Sequence, residues 1–179
     1  LVKIMAGGDR AGLEQREAFL LGARRIIGLR HRSIANVLEA ARWGGIPYLV
    51  VERVRGLSLE RILEAGPLPP ERAVPLARLA AEAVRVLHAA GIAHGDLVPA
   101  NVMVEDDGNP VLVDVGLGLP ANVPGSGEGY AVGQGQAGDS AAAAEASLDL
   151  RPFLLADLRD LGRLLAQCLT GEAPRDAAA

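Results

Sequence analysis

The chain has 179 residues, enough for one ordinary domain with a real core or for two small lobes. Half of its residues are hydrophobic but only 3% are aromatic, so Leu, Val, Ile and Ala must build the interior. A net charge of −4 without any basic block argues against a nucleic-acid platform, and a single cysteine, Cys168, excludes a disulfide or zinc framework. No run of about 18 apolar residues is present, so nothing in this chain is expected to contact or span a membrane, and no signal peptide is visible. Leu1 lies inside what reads as a strand. The chain is therefore expected to be a fragment, with any targeting segment outside it.

The opening "LVKIM" reads as a strand. "GLEQREAFLLGARRIIGL" carries Leu13, Leu20, Ala23 and Ile27 at the spacing of an amphipathic helix. "IANVLEA" and "PYLVVERV" read as strands split by a turn at Trp43-Gly44-Gly45. Ser58 is a natural N-cap for the short helix "LERILEAG". A long helix is predicted from about Glu71 to Ala90, with Leu76, Leu79, Ala80, Ala83 and Leu87 on one face and Gly91 closing it. "NVMVE" and "PVLVD" then form a hairpin around Asp106-Asp107-Gly108-Asn109.

Residues 121–147 are rich in Gly, Ala and Ser without periodicity, the pattern of a mobile loop. A last helix is predicted from Leu155 to Leu169, stopped by Gly171 with Pro174 beyond. Cys168 falls within its apolar pattern and reads as a core residue. Strands come first and helices later, so the expected class is α+β, a small mixed lobe joined to a mainly helical one.

Three residues carry the chemical interest. Asp96 and Asn101 share one short loop after a helix, and Asp114 ends the second hairpin strand beside the strand that leaves Asn101. A carboxylate and an amide oxygen there are hard donors suited to Mg²⁺, which binds through one or two carboxylates plus phosphates. Asp96 is left to orient a nucleophilic hydroxyl. Taken singly, each has a plainer reading: an Asp after a hairpin strand forms turns, His94 packs in a core, and Lys3 is solvated.

In order along one chain, these residues resemble the protein kinase family, in its bacterial Hanks-type serine/threonine branch. The catalytic-loop pattern H-R-D-L-x-x-x-N is similar to His94-Gly95-Asp96-Leu97-Val98-Pro99-Ala100-Asn101, and D-F-G to Asp114-Val115-Gly116. "LVKIM" looks like the V-A-I-K strand, and "GLRHRSIANVLEA" with "IPYLVVERVRGLSLERIL" like the following strands and hinge. The resemblance implies a bilobal kinase-like fold, with a partial N-lobe and hinge over residues 1–54. Residues 55–179 would form a partial C-lobe holding an activation segment at about 117–147. It implies ATP and Mg²⁺ as cofactors. Lys3 would hold the α- and β-phosphates, and Asn101 and Asp114 the metal. The Glu52 and Val54 backbone would meet adenine behind a Val51 gatekeeper, above a Met103 floor, and Asp96 would be the catalytic aspartate. "DLRDLG" looks like the start of the buried C-lobe helix, where Asp157 would brace the catalytic loop.

The pattern is also broken. The glutamate that pairs with the lysine falls at Gly22 when counted back from His31; Glu17 lies about 7.5 Å down the axis and about 140° around it. If that loss is the main lesion, Gly22→Glu is expected to raise phosphotransfer at least about tenfold in a chain extended through the glycine-rich loop and the full C-lobe. Val98 replaces the catalytic-loop lysine, and Gly95 the arginine that reads a phosphorylated activation loop, which here holds Ser126, Tyr130 and Ser140. Val115 replaces a phenylalanine packed beneath the first helix, and A-P-E has become Ala143-Ala144-Glu145. The Gly-rich strands expected before Leu1 and the helices expected after Ala179 are not in the chain.

The expected function is therefore transfer of the ATP γ-phosphate to protein Ser or Thr, with impaired catalysis, in the cytoplasm. Its partners would be ATP and a protein substrate or signalling partner. One alternative is a pseudokinase that binds nucleotide or a partner and signals by shape. Another is a small-molecule phosphotransferase, because His94-Gly95-Asp96 is similar to the H-G-D loop of aminoglycoside and choline kinase relatives.

Overall fold

A computed structural model describes residues 1–4, 13–116 and 151–172. The predicted loop at 121–147, with Ser126, Tyr130, Ser140 and Ala143-Ala144-Glu145, lies outside the described residues. So does Pro174.

The first half forms a three-stranded antiparallel sheet from β1 (Val2–Ile4), β2 (Val37–Trp43) and β3 (Ile46–Val51), ordered β1-β3-β2. Lys3 pairs with Leu49 and Trp43 with Ile46, so the predicted turn lies where the Gly44-Gly45 pair allows it. Helix α1 (Leu13–Ile26) packs on this sheet. Its buried face is Leu20, Ala23 and Ile26 rather than Ile27. The helix ends at Ile26, so Ile27 falls beyond the last helical turn and is exposed.

The second half begins with β4 (Leu57–Ser58) and α2 (Leu59–Leu63), and Ser58 Oγ accepts the Arg61 N–H as the predicted cap. Helix α3 (Pro70–Ala89) starts with proline at its first position, where no N–H is needed. It buries Leu76, Ala80, Ala83, Val84 and Leu87. The hairpin is β5 (Val102–Val104) and β6 (Pro110–Leu112), and helix α4 (Arg151–Thr170) runs four residues further toward the N-terminus than its apolar pattern suggested.

Strand β4 has no counterpart among the strands expected from the sequence, where Ser58 reads only as a cap. This two-residue strand pairs with β5 through Leu57–Val104 and Ser58–Met103, making the second sheet β4-β5-β6. Two residues are too few for any periodicity to register. The approach is close because Gly56 precedes the strand. A Cβ there would lie 2.0 Å from the Val104 carbonyl oxygen, and its φ of +132° suits only glycine.

One hydrophobic core joins the two halves, with Ile26 and Val37 from the first and Leu59, Leu87, Val102, Leu112, Leu164 and Cys168 from the second. Each such fully buried aliphatic side chain contributes about 1.5–3 kcal/mol relative to exposure. Polar bonds reinforce the seam. The segment before β2 runs beside β6, where the Leu112 N–H donates to the Ser33 carbonyl and the Ala35 N–H to the Leu112 carbonyl, both at 2.9 Å. Buried Ser33 donates its hydroxyl to Asn109 Oδ1 at 3.1 Å. Among the described residues, no helix is long and apolar enough to cross a membrane.

Candidate functional site

A cavity of about 250 Å³ opens between the first sheet and the β5-β6 hairpin. Its apolar walls include Ala35, Val37, Leu49 and Val51, with Met103 and Val113 opposite. Extended-chain alternation places them there: Lys3 on β1 and Leu1, two residues before it, share the cavity face. Seven of the eight residues singled out from the sequence line this cavity: Lys3, Val51, Glu52, Val54, Asn101, Met103 and Asp114. Asp96 does not line it. It stands outside, joined to the lining through Asn101, whose Nδ2 donates to the Asp96 carbonyl and to Asp96 Oδ2, each at 2.9 Å.

The loop geometry that makes this possible is local. Pro99–Asn101 form one 3₁₀ turn, in which the Asn101 N–H donates to the Val98 carbonyl at 2.9 Å. That turn folds Asn101 back over Asp96 before β5 begins. Asp114 follows β6 and takes a φ of +60°, a left-handed conformation that costs a non-glycine residue roughly 1–2 kcal/mol. Hydrogen bonds on both sides hold it: the Val113 N–H to the Asn101 carbonyl at 3.0 Å, and the Gly116 N–H to the His94 carbonyl at 2.8 Å.

The loop is itself anchored from α4. Asp157, fully buried, accepts the backbone N–H groups of His94 at 2.8 Å and Gly95 at 2.9 Å. His88, on α3, places Nε2 at 2.8 Å from the same carboxylate. Asp157 meets this loop as the resemblance implies, whereas His88 is an addition that the structure makes. Its spacing from His94 across the helix end carried no local signal. His94 is fully buried and its Nε2 has no hydrogen-bond partner. Burial pushes its imidazole pKa below the ordinary 6.5, against the opposing pull of the Asp157, Asp96 and Asp114 carboxylates. His94 is thus a packing residue that carries the loop backbone. Burial likewise raises the Cys168 thiol, so this cysteine is an unreactive part of the core.

Lys3 bonds directly to Asp114 Oδ1. At Gly22, the position counted for an acidic partner, a Cβ would lie 2.8 Å from the Gly116 carbonyl oxygen. Helix α1 therefore rests its backbone on the turn that follows Asp114, with no room for a side chain between them. A glutamate at position 22 would have to displace this turn or the helix before it could meet Lys3. Val115 is buried in the shared core, and the Ile26 side chain comes within 3.4 Å of the Cβ site of Gly116. Glycine at 22 and 116 permits this contact.

The donors fit a magnesium nucleotide. Among the described residues, Asn101 Oδ1 and Asp114 Oδ2 have no hydrogen-bond partner and belong to two residues of one lining. They form a small set of two oxygens; among the described residues no group of three or more His, Cys, Asp or Glu is placed to hold a metal by itself. Such a set suits Mg²⁺ when phosphates complete its shell. At the far end, the Glu52 N–H donates to the Asn36 carbonyl at 2.9 Å, which leaves the Glu52 carbonyl unpaired. The Val54 N–H and carbonyl are also unpaired among the described residues. Unpaired backbone groups beside an apolar slot fit a flat heterocycle with donors and acceptors on its edge.

Known proteins share this arrangement. The sequence profile of the protein kinase domain matches residues 12–135. The serine/threonine-protein kinase PknB of Mycobacterium leprae is 31% identical over 176 residues, spanning 92% of this chain and 28% of that protein. The serine/threonine-protein kinase PkaA of Streptomyces coelicolor is 34% identical over 154 residues, or 83% of this chain and 28% of that protein. PknL of Mycobacterium tuberculosis is 36% identical over 100 residues, covering 55% of this chain and 25% of the relative. The chain spans about a quarter of the length of these relatives. The Mycobacterium tuberculosis PknI kinase domain superposes with a TM-score of 0.71 at 18% identity, covering 99% of this chain and 66% of that one. Rad53 in complex with AMP-PNP also gives 0.71, at 23% identity, covering 99% and 43%. At these identities the superpositions speak for the fold, which is the mixed α+β protein kinase fold. The chain belongs to the protein kinase family, in its bacterial Hanks-type serine/threonine branch.

Proposed function

We propose that this chain is the ATP- and Mg²⁺-binding part of a serine/threonine protein kinase domain whose phosphotransfer is slow. The observation that carries the reading is the convergence of Lys3, Asn101 and Asp114 with the unpaired hinge groups of Glu52 and Val54 on one cavity. In this reading residues 1–54 are the N-lobe part and hinge, and residues 55–179 the C-lobe part. The bound nucleotide supplies the transferable γ-phosphoryl group, and the metal neutralises charge on its phosphates. Asn101 and Asp114 hold the metal, and Lys3 draws the α- and β-phosphates into the slot. The Glu52 carbonyl and Val54 N–H hold the adenine edge, with Val51 behind it and Met103 beneath. Asp96, oriented by Asn101, accepts the proton of a Ser or Thr hydroxyl.

Slowness follows from what the site lacks. Losing the first-helix glutamate that the resemblance pairs with Lys3, and the lysine at position 98, would cost roughly 2–4 kcal/mol each, or on the order of 10³- to 10⁶-fold in rate, without strict additivity. From about 1–100 s⁻¹ for an ordinary kinase, turnover falls to minutes or days. A second reading, a pseudokinase that binds nucleotide without transfer, draws on the Gly22–Gly116 contact and the Lys3–Asp114 pair. The small-molecule phosphotransferase reading loses ground, because the relatives named above are serine/threonine-protein kinases.

Calorimetry with ATP, with and without Mg²⁺, tests the site. Binding strengthened by Mg²⁺ and weakened in Asp114→Ala and Asn101→Ala is the expected result; equal affinity in every case would remove the metal assignment. Phosphate transfer to a generic basic protein, set against aminoglycosides and small alcohols, separates the activities.

A further inference from the structure

Asn36 stands between Ala35 and Val37, two walls of the cavity, and does not itself line it. Alternation along the chain turns its side chain away from the cavity, where it meets Glu52 from behind. Two bonds tie the pair: the Asn36 carbonyl accepts the Glu52 N–H at 2.9 Å, and Asn36 Nδ2 donates to Glu52 Oε2 at 2.6 Å. A carboxylate only accepts, so the amide must present its nitrogen there. That orientation leaves Asn36 Oδ1 shut off from solvent, with no hydrogen-bond partner among the described residues. A buried oxygen left unpaired is a cost that an apolar residue at this position would not carry. Among the described residues the Glu52 carboxylate has no other partner, although Arg53 follows it directly in sequence.

We infer that Asn36 is a positioning residue for base recognition, retained for its hold on Glu52 despite the orphaned oxygen. It fixes Glu52 at its N–H and at its side chain, so the residue can turn little and its carbonyl stays toward the cavity that Glu52 lines. A carbonyl oxygen only accepts, and the exocyclic amine is the donor on the adenine edge. A site held in this way rejects a base that lacks the amine, because the carbonyl is then left unpaired. Position 36 thus acts on the choice of base and leaves the phosphates to Lys3, Asn101 and Asp114. The inference rests on the reading of Glu52 as the residue that meets adenine.

The test is calorimetry on the intact chain with Mg²⁺, comparing ATP with purine riboside triphosphate, which lacks the exocyclic amine. Wild type should favour ATP. In Asn36→Val the affinity for ATP should fall about fivefold, the worth of one hydrogen bond, while the analogue binds as before. The urea midpoint of this variant should not fall, since the orphaned oxygen leaves together with the bond. Asn36→Asp keeps the shape but sets a second carboxylate against Glu52, and should weaken ATP binding more than valine does. Asn36→Asp/Glu52→Gln restores a donor and an acceptor with the direction reversed, and should recover the preference for ATP over the analogue. Unchanged ATP affinity in Asn36→Val, equal losses for both nucleotides, or an exchanged pair without recovery would overturn the positioning role while the nucleotide site stands. Absence of ATP binding in wild type would instead overturn that site, and the inference with it.

Discussion

The carboxylate of Asp157 on α4 accepts the backbone N–H of His94 at 2.8 Å, a bond that closes across 63 positions of sequence. Its other oxygen takes the Gly95 N–H, and the His94 carbonyl in turn receives the Gly116 N–H. One buried side chain thus holds the loop that carries Asp96 and Asn101, and through it the turn that carries Asp114.

Asp157→Ala should therefore be among the more damaging single changes. It strands two backbone donors, one of them fully buried, at about 1–3 kcal/mol each. Urea unfolding should show a loss of roughly 2–5 kcal/mol. A loss below about 1 kcal/mol would mean that water replaces the carboxylate and that the anchor is dispensable.

Gly22→Ala and Gly22→Glu test the contact between α1 and the turn after Asp114. Alanine gains about 1 kcal/mol in helix propensity, but its Cβ must displace the Gly116 carbonyl or the helix, at about 1–3 kcal/mol. Both variants should be less stable than wild type, and Gly22→Glu should not raise phosphotransfer. A rise of tenfold would show that α1 can move away to give Lys3 an acidic partner.

Stability should fall on the acid side because of His94. Its folded pKa lies below the unfolded value of 6.5, so the unfolded chain binds the proton first. This contribution is constant above that value, is lost as pH falls through it, and levels off once pH passes the lower folded pKa. His94→Leu removes the buried nitrogen that has no partner and should flatten this limb. Urea midpoints on either side of pH 6.5 give the comparison; parallel profiles for the two proteins would assign the acid loss to other groups.

Helix α4 exposes Leu155, Leu158 and Leu169 at 65%, 54% and 39% while burying Leu164 and Cys168. An apolar stripe on both faces favours association. Leu155→Gln with Leu158→Gln should lower the apparent mass in concentration-dependent light scattering without lowering the unfolding midpoint. An unchanged mass at every concentration would show that these leucines do not mediate contact.

Much of this molecule was legible from local order alone. Helical and strand periodicity located α1, α3, α4 and the two hairpins, because each depends on neighbours a few residues away. Ser58 was legible as a cap for the same reason, and His94 to Asn101 with Asp114 to Gly116 as a kinase pattern because the chemistry sits in short contiguous runs. Other features depended on where distant segments come to rest. Lys3 meets Asp114 across 111 positions, and no spacing rule connects them. Position 22 reads in the sequence as the place of a missing glutamate; only packing reveals that α1 there rests against the Gly116 carbonyl, where any Cβ would collide. Strand β4 exists because Gly56 lets the chain approach Val104, and Ile26 rather than Ile27 is buried because the helix ends there. Short-range energetics act before the chain closes on itself, so the sequence displays them; the pairing of Lys3 and the seating of α1 arise only when both halves share one core.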